Sequence, residues 1–151
     1  MRISVKKIVD RIILHAGSLL YMNGSSEGHD HVPVINDYNK AMLTALSWEE
    51  INVLAGEMSG YAVSVTVERE GRISGAVIIE FKEGAFSPEG MNLNMESLLR
   101  SVVAYRVLAR LFCNNDAVAR RYEEAAALAV EMFNRSLYKK TMGRVRITPH
   151  W

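Results

Sequence analysis

The stretch "LLRSVVAYRVLARLFCNNDAVARRYEEAAALAVEMF", residues 98–133, decides the fold. In its first half Leu98, Leu99, Val102, Val103, Val107, Leu108, Leu111 and Phe112 continue from Met95 at helical spacing, while Arg100, Arg106 and Arg110 gather on the remaining face. So broad an apolar stripe predicts a central helix with neighbours on more than one side. "CNND" then interrupts, with Asp116 read as an N-cap, and Val118, Tyr122, Ala125, Ala129, Met132 and Phe133 set a second helical stripe. A link this short makes the pair an antiparallel helical hairpin. The helical body is expected to end near Leu137, because Gly143 and Pro149 oppose further helix.

Towards the N-terminus, Val5, Ile8, Val9, Ile12, Ala16, Leu19 and Leu20 predict an opening helix, with Ser4 as its N-cap. "NGSSEGHDHVP", residues 23–33, favours a loop. A second helix is expected from Asn36 or Asp37, carried by Met42, Leu43 and Leu46. Ser47 and Glu50 have capping-box spacing, which predicts a bend or restart before Ile51, Leu54 and Met58. "YAVSVTVE" then changes to a two-residue rhythm, and with "ISGAVIIEF" it predicts a β-hairpin over residues 61–81. A lone hairpin is marginal in water, so it must lie on the helices, pair with another strand or meet a neighbouring chain. The expected fold is mainly α: a small antiparallel bundle of about four helices with one inserted hairpin, residues 1–137, and an extended C-terminal arm, residues 138–151.

Composition fits that division. At 151 residues, 49% hydrophobic and 23% charged, the chain supports one domain with its own core. All 17 acidic residues precede position 135, whereas five of the 18 basic ones lie at or after it, leaving −4 on the body and +5 on the tail. Such segregation marks an interaction arm, the alternative being a solvated terminus. No apolar run approaches the roughly 18 residues of a membrane span, and "MRISVKKIVDR" lacks a signal peptide's apolar centre, so a cytoplasmic protein is expected. A single cysteine, Cys113, excludes an internal disulfide and is expected to be a small buried residue.

Chemistry-bearing patterns are sparse. His29, Asp30 and His31 form the one candidate metal cluster, but a loop offering three ligands falls short of a structural zinc site, and a solvated loop is the simpler reading. Cys113 has no histidine near it in sequence, no serine stands in a nucleophile elbow, and neither "GSSEG" nor "EGRISG" has phosphate-loop spacing. Adjacent carboxylates, Glu49 with Glu50 and Glu123 with Glu124, are expected to point apart on solvated helix faces. These readings imply no enzyme and no cofactor. The basic tail and the three helix arginines are candidates for neutralising phosphates, set against an acidic body without a helix-turn-helix or zinc module.

The order of elements, with "NDYNKAMLTALSWEE" leading to a β-insertion, then "AYRVLARLF", an Asn/Asp break, "AVARRYEEAAALA" and a free tail, resembles the head-to-tail connector, or adaptor, proteins of tailed bacteriophages. It is similar in kind to the tail tubular protein A and tail accessory factors of short-tailed phages. The likeness spans nearly the whole chain and is one of pattern, not of a diagnostic motif; the β-region, a single hairpin, departs from members that carry a larger sheet. It implies a structural virion protein of the neck, assembled in the host cytoplasm, with about a dozen copies closing a ring. The implied partners are the portal protein, further copies of the chain, and a tail or nozzle protein. DNA would pass through the channel without specific binding, and no membrane is involved.

On that resemblance the portal-docking arm comprises Tyr138, Lys139, Lys140, Arg144, Arg146 and Trp151, and the tail-side contacts fall at Glu68, Arg69, Glu70 and Arg72 on the hairpin. Two alternatives accompany it: a head-completion or tail-terminator protein of a long-tailed phage, and a small basic-tailed nucleic-acid-binding regulator. A zinc enzyme built on the His29–His31 loop stands third.

Overall fold

A computed structural model describes residues 1–23, 39–70, 74–82 and 91–141. In chain order the elements are β1 (Arg2–Ser4), α1 (Val5–Asn23), α2 (Lys40–Met58), β2 (Ala62–Glu70), β3 (Ser74–Phe81), α3 (Met91–Leu111) and α4 (Asp116–Thr141). The described chain is mainly helical, with one small antiparallel sheet in the order β1-β3-β2.

Helix α3 occupies the centre foreseen for it. Val102, Val103, Val107 and Leu108 are fully buried, and α3 packs against α1, α2, α4 and β1. The α3–α4 link is tight: the Asn115 amide donates to the Phe112 carbonyl at 2.7 Å. Asn115, not Asp116, caps α4, since its Oδ1 accepts from the Val118 amide at 3.3 Å and its carbonyl accepts from the Ala119 amide at 2.9 Å. Asp116 instead lies in the first turn, where its charge complements the helix dipole. Helix α4 runs on to Thr141, four residues past Leu137, so residues 138–141 continue the helix instead of opening an extended arm. Residues 142–151 lie outside the described residues.

Strand β1 was not foreseen. Three residues are too few for a period to emerge, and Ile3 and Val5 read equally well as the start of a helical stripe. Its pairing is antiparallel to β3, with Ile3 opposite Val77, and the Met1 amino group donates to the Ile79 carbonyl at 2.8 Å. The hairpin thus finds its third strand within the chain. β3 is the central strand, with Ala76, Val77 and Ile79 buried, which explains why it is the more apolar of the two.

Helix α2 is continuous from Lys40 to Met58. Ser47 does not restart it: its hydroxyl is buried and donates back to the Leu43 carbonyl at 2.7 Å, the arrangement that satisfies a serine inside a helix. The next residue, Trp48, meets the hairpin. A Cβ added to Gly75 would lie 2.8 Å from Trp48 Cζ2 and 2.5 Å from the Glu68 carbonyl oxygen, so glycine is required for this close approach.

Candidate functional site

Two surfaces differ in how completely they are used. The first is the α2–α3 contact. Arg106 reaches both carboxylate oxygens of Glu57 through Nη2 at 3.0 Å, and Arg110 Nη1 donates to Glu49 at 2.9 Å and to Glu50 at 3.1 Å. As positions fall along α2 their partners rise along α3, so the helices run antiparallel and the charges interlock over two turns. The two carboxylate hydrogen bonds raise the Arg110 pKa further above its ordinary value. Arg100 pairs with Glu96 one turn earlier on its own helix.

Each of the three arginines suggested for phosphate is therefore held by a carboxylate of the same chain. Glu49 and Glu50 do not point apart either, because one guanidinium draws both together. The sequence held a signal for this: Glu50 and Glu57 are two turns apart and Arg106 and Arg110 one turn apart, each pair on a single helix face. Beside these pairs runs a groove of about 490 Å³ between α2, α3 and α4, and Cys113 lines it. That thiol is exposed, contrary to expectation, because it falls in the turn after α3 and escapes the buried stripe.

The second surface is strand β2, at the sheet edge. Val65 lies opposite Ile79, and Val67 opposite Val77, so they share the face that β3 buries. Ile79 and Val77 are 1% and 0% exposed, whereas Val65 and Val67 are 37% and 44% exposed. A bulge between Ala62 and Ser64 interrupts the register, and Val63 there is 67% exposed. On the other face Arg2 pairs with Glu68 across β3 at 3.2 Å, and Ser64 donates to Glu80 at 2.9 Å.

Of the hairpin residues singled out from the sequence, Glu68 thus has an intramolecular partner, Arg69 and Glu70 end β2, and Arg72 lies outside the described residues. Tyr138, Lys139 and Lys140 belong to the last turn of α4, with side chains outside the described set. Arg144, Arg146 and Trp151, and the His29, Asp30 and His31 loop, lie outside it entirely.

A third feature was missed. His15 of α1 stands edge-on to Tyr105 of α3 at 5.4 Å and to Tyr122 of α4 at 6.3 Å, while Tyr105 and Tyr122 stack at 6.0 Å. With Leu19, Val118 and Arg121 they line a cavity of about 220 Å³. Burial, helped by Arg11 one turn away, pushes the His15 pKa down, and burial pushes the Tyr122 pKa up. No sequence pattern brings His15 to the two tyrosines, because α1 is remote in the chain from the α3–α4 hairpin.

Among the described residues no group of three or more His, Cys, Asp or Glu side chains is placed to hold a metal ion, and no helix is long and apolar enough to cross a membrane. No family model, curated protein or solved structure matches the chain.

Proposed function

We propose that this chain is a structural assembly protein: a ring-forming head-to-tail adaptor that docks on a portal and joins it to a tail or nozzle protein. The observation that carries the reading is the division of labour on the surface. The cations of α3 are already satisfied by Glu49, Glu50, Glu57 and Glu96, while apolar side chains remain exposed on separate elements: Leu14 on α1, Val53 on α2, Val65 on β2 and Leu128 on α4. A subunit in a closed ring uses two different patches, one for each neighbour, so apolar surface dispersed over several elements suits it better than a twofold dimer's single patch. Interfaces of this kind gain affinity from burying such side chains, not from surface ion pairs.

The resemblance in element order adds the partners, and the basic tail adds the docking device. In this reading residues 142–151 are an extended arm continuing α4, with Arg144, Arg146 and Trp151 as anchors for the portal. The open edge at β2 and the hairpin turn are the tail-side end. An arm that orders only on contact bears an entropic cost, which repetition around a ring offsets collectively.

The test is binding of the chain to its cognate portal ring and to duplex DNA, each across a salt series. The adaptor reading expects portal binding that is lost on truncation after Thr141, with helix content kept. Tight, salt-sensitive DNA binding without portal binding would instead identify a nucleic-acid-binding regulator.

A further inference from the structure

The cavity between α1, α3 and α4 has walls of two kinds. One kind is aromatic: His15 stands edge-on to Tyr105 at 5.4 Å and to Tyr122 at 6.3 Å, and Tyr122 stacks with both Tyr105 and Phe112 at 6.0 Å. Rings that brace one another in this way form a slot fixed in advance of any ligand. The other kind is cationic, because Arg121 of α4 lines the same cavity. Among the described residues no carboxylate pairs with Arg121, whereas Arg100, Arg106 and Arg110 of α3 are each held by one. No described acidic residue lines the cavity either.

We propose that this cavity is a binding site for a small aromatic carboxylate, with the ring against His15, Tyr105 and Tyr122 and the carboxylate at Arg121. Size limits the ligand to one ring. An apolar cavity of about 150 Å³ already admits benzene, so about 220 Å³ holds a six-membered ring with a short substituent and no more.

Charge selects the anion. A cage for a cation surrounds it with ring faces and keeps other cations away. Here Arg121 lines the cavity, and the charge of Arg11 is felt at His15 from the α1 side. His15 fits the same ligand, since burial and Arg11 lower its pKa and leave the imidazole neutral at pH 7, with one nitrogen as donor and one as acceptor. Neither His15 nor Tyr122 owes its shifted pKa to a hydrogen bond, so the imidazole N–H and the phenol O–H are open to a ligand's oxygen.

The test is an NMR titration of the intact chain with benzoate, its neutral analogue benzamide and its cationic analogue benzamidine. Benzoate is expected to bind saturably at about 1 mM or below, about fivefold more tightly than benzamide, with benzamidine weakest. Its resonance shifts should centre on the rings of His15, Tyr105 and Tyr122. Arg121→Gln, an exposed position, should weaken benzoate about fivefold and leave benzamide unchanged. Ala125→Leu, which fills the cavity from its α4 wall, should abolish binding of both with circular dichroism unchanged. The three analogues compared on the parent chain keep the test decisive even where Ala125→Leu disturbs the fold. No saturable benzoate binding by about 10 mM overturns the proposal. So does equal benzoate affinity in Arg121→Gln, or a shift pattern centred away from His15. Benzamidine binding as tightly as benzoate also overturns it, and assigns the rings to a cationic ligand. The chain is titrated alone, so the outcome is independent of the adaptor reading.

Discussion

Strands β3 and β2 are neighbours in one sheet, with similar residues on a shared face, yet Val77 and Ile79 are sealed while Val65 and Val67 stay open. The difference comes from the helices, since α1 lies on β3 and α3 on β1. Apolar alternation therefore announces that a strand has a face to bury, and only the layer above decides whether the chain itself covers it. The same contrast separates the arginines of α3, which the chain closes on its own carboxylates, from the valines of β2, which it leaves exposed.

The largest effect that sharpens this contrast is on the closed side. Leu108→Ala, at a fully buried position of α3, should lower unfolding free energy by about 2 to 5 kcal/mol in chemical denaturation. Val65→Thr on the open edge should change it by less than about 0.5 kcal/mol while weakening self-association measured by sedimentation. Loss of stability from Val65→Thr as large as that from Leu108→Ala would erase the distinction.

Next comes the junction between hairpin and helix. Gly75→Ala forces apart the Glu68 carbonyl and the Trp48 ring and should cost about 1 to 3 kcal/mol, with a shift in tryptophan fluorescence. A neutral result would mean that the hairpin does not lean on α2.

Smaller again is the ion-pair layer. A double-mutant cycle of Arg106→Met and Glu57→Gln should give a coupling of about 0.5 to 1 kcal/mol that shrinks with added salt, because the pair is partly exposed. A coupling near zero at low salt would show that the arginines are available to outside anions after all.

The smallest effect concerns His15. Its pKa is lowered in the folded state, so below the ordinary value of 6.5 the unfolded chain binds the proton more readily. This contribution to stability is complete above 6.5, declines as pH falls below it, and levels off beneath the folded value. The His15→Phe chain should lose stability less steeply than the parent between pH 6.5 and 5, and identical slopes would mean that the ring is fully hydrated.

Much of the helical fold was legible because α1, α3 and α4 carry long 3.6-residue apolar stripes, whereas the buried face of α2 is interrupted by Thr44 and Ser47; the α3–α4 pair was readable almost residue by residue. The exceptions are physical. β1 is too short to show a period, and its role depends on a partner some 75 residues away. Ser47 has good capping chemistry but lies inside a continuous helix, and Asp116 is the first residue of α4, one past the cap at Asn115. Cys113 is apolar enough for the core but stands one residue past the stripe. The candidate surfaces were less legible, because pairing of Arg106 with Glu57, or the meeting of His15 with two tyrosines, depends on how helices cross. The charge asymmetry of the tail was plain in the sequence, and what it touches was not.

The central claim, that the chain is a portal-docking ring subunit held on by its tail, is tested most directly by electron microscopy of the protein mixed with its cognate portal ring. The account predicts an added ring of density beneath the portal with the intact chain, and none with a chain ending at Thr141 that keeps its helical circular dichroism. Equal decoration of the portal by the truncated chain, or no added ring with the intact one, would contradict it.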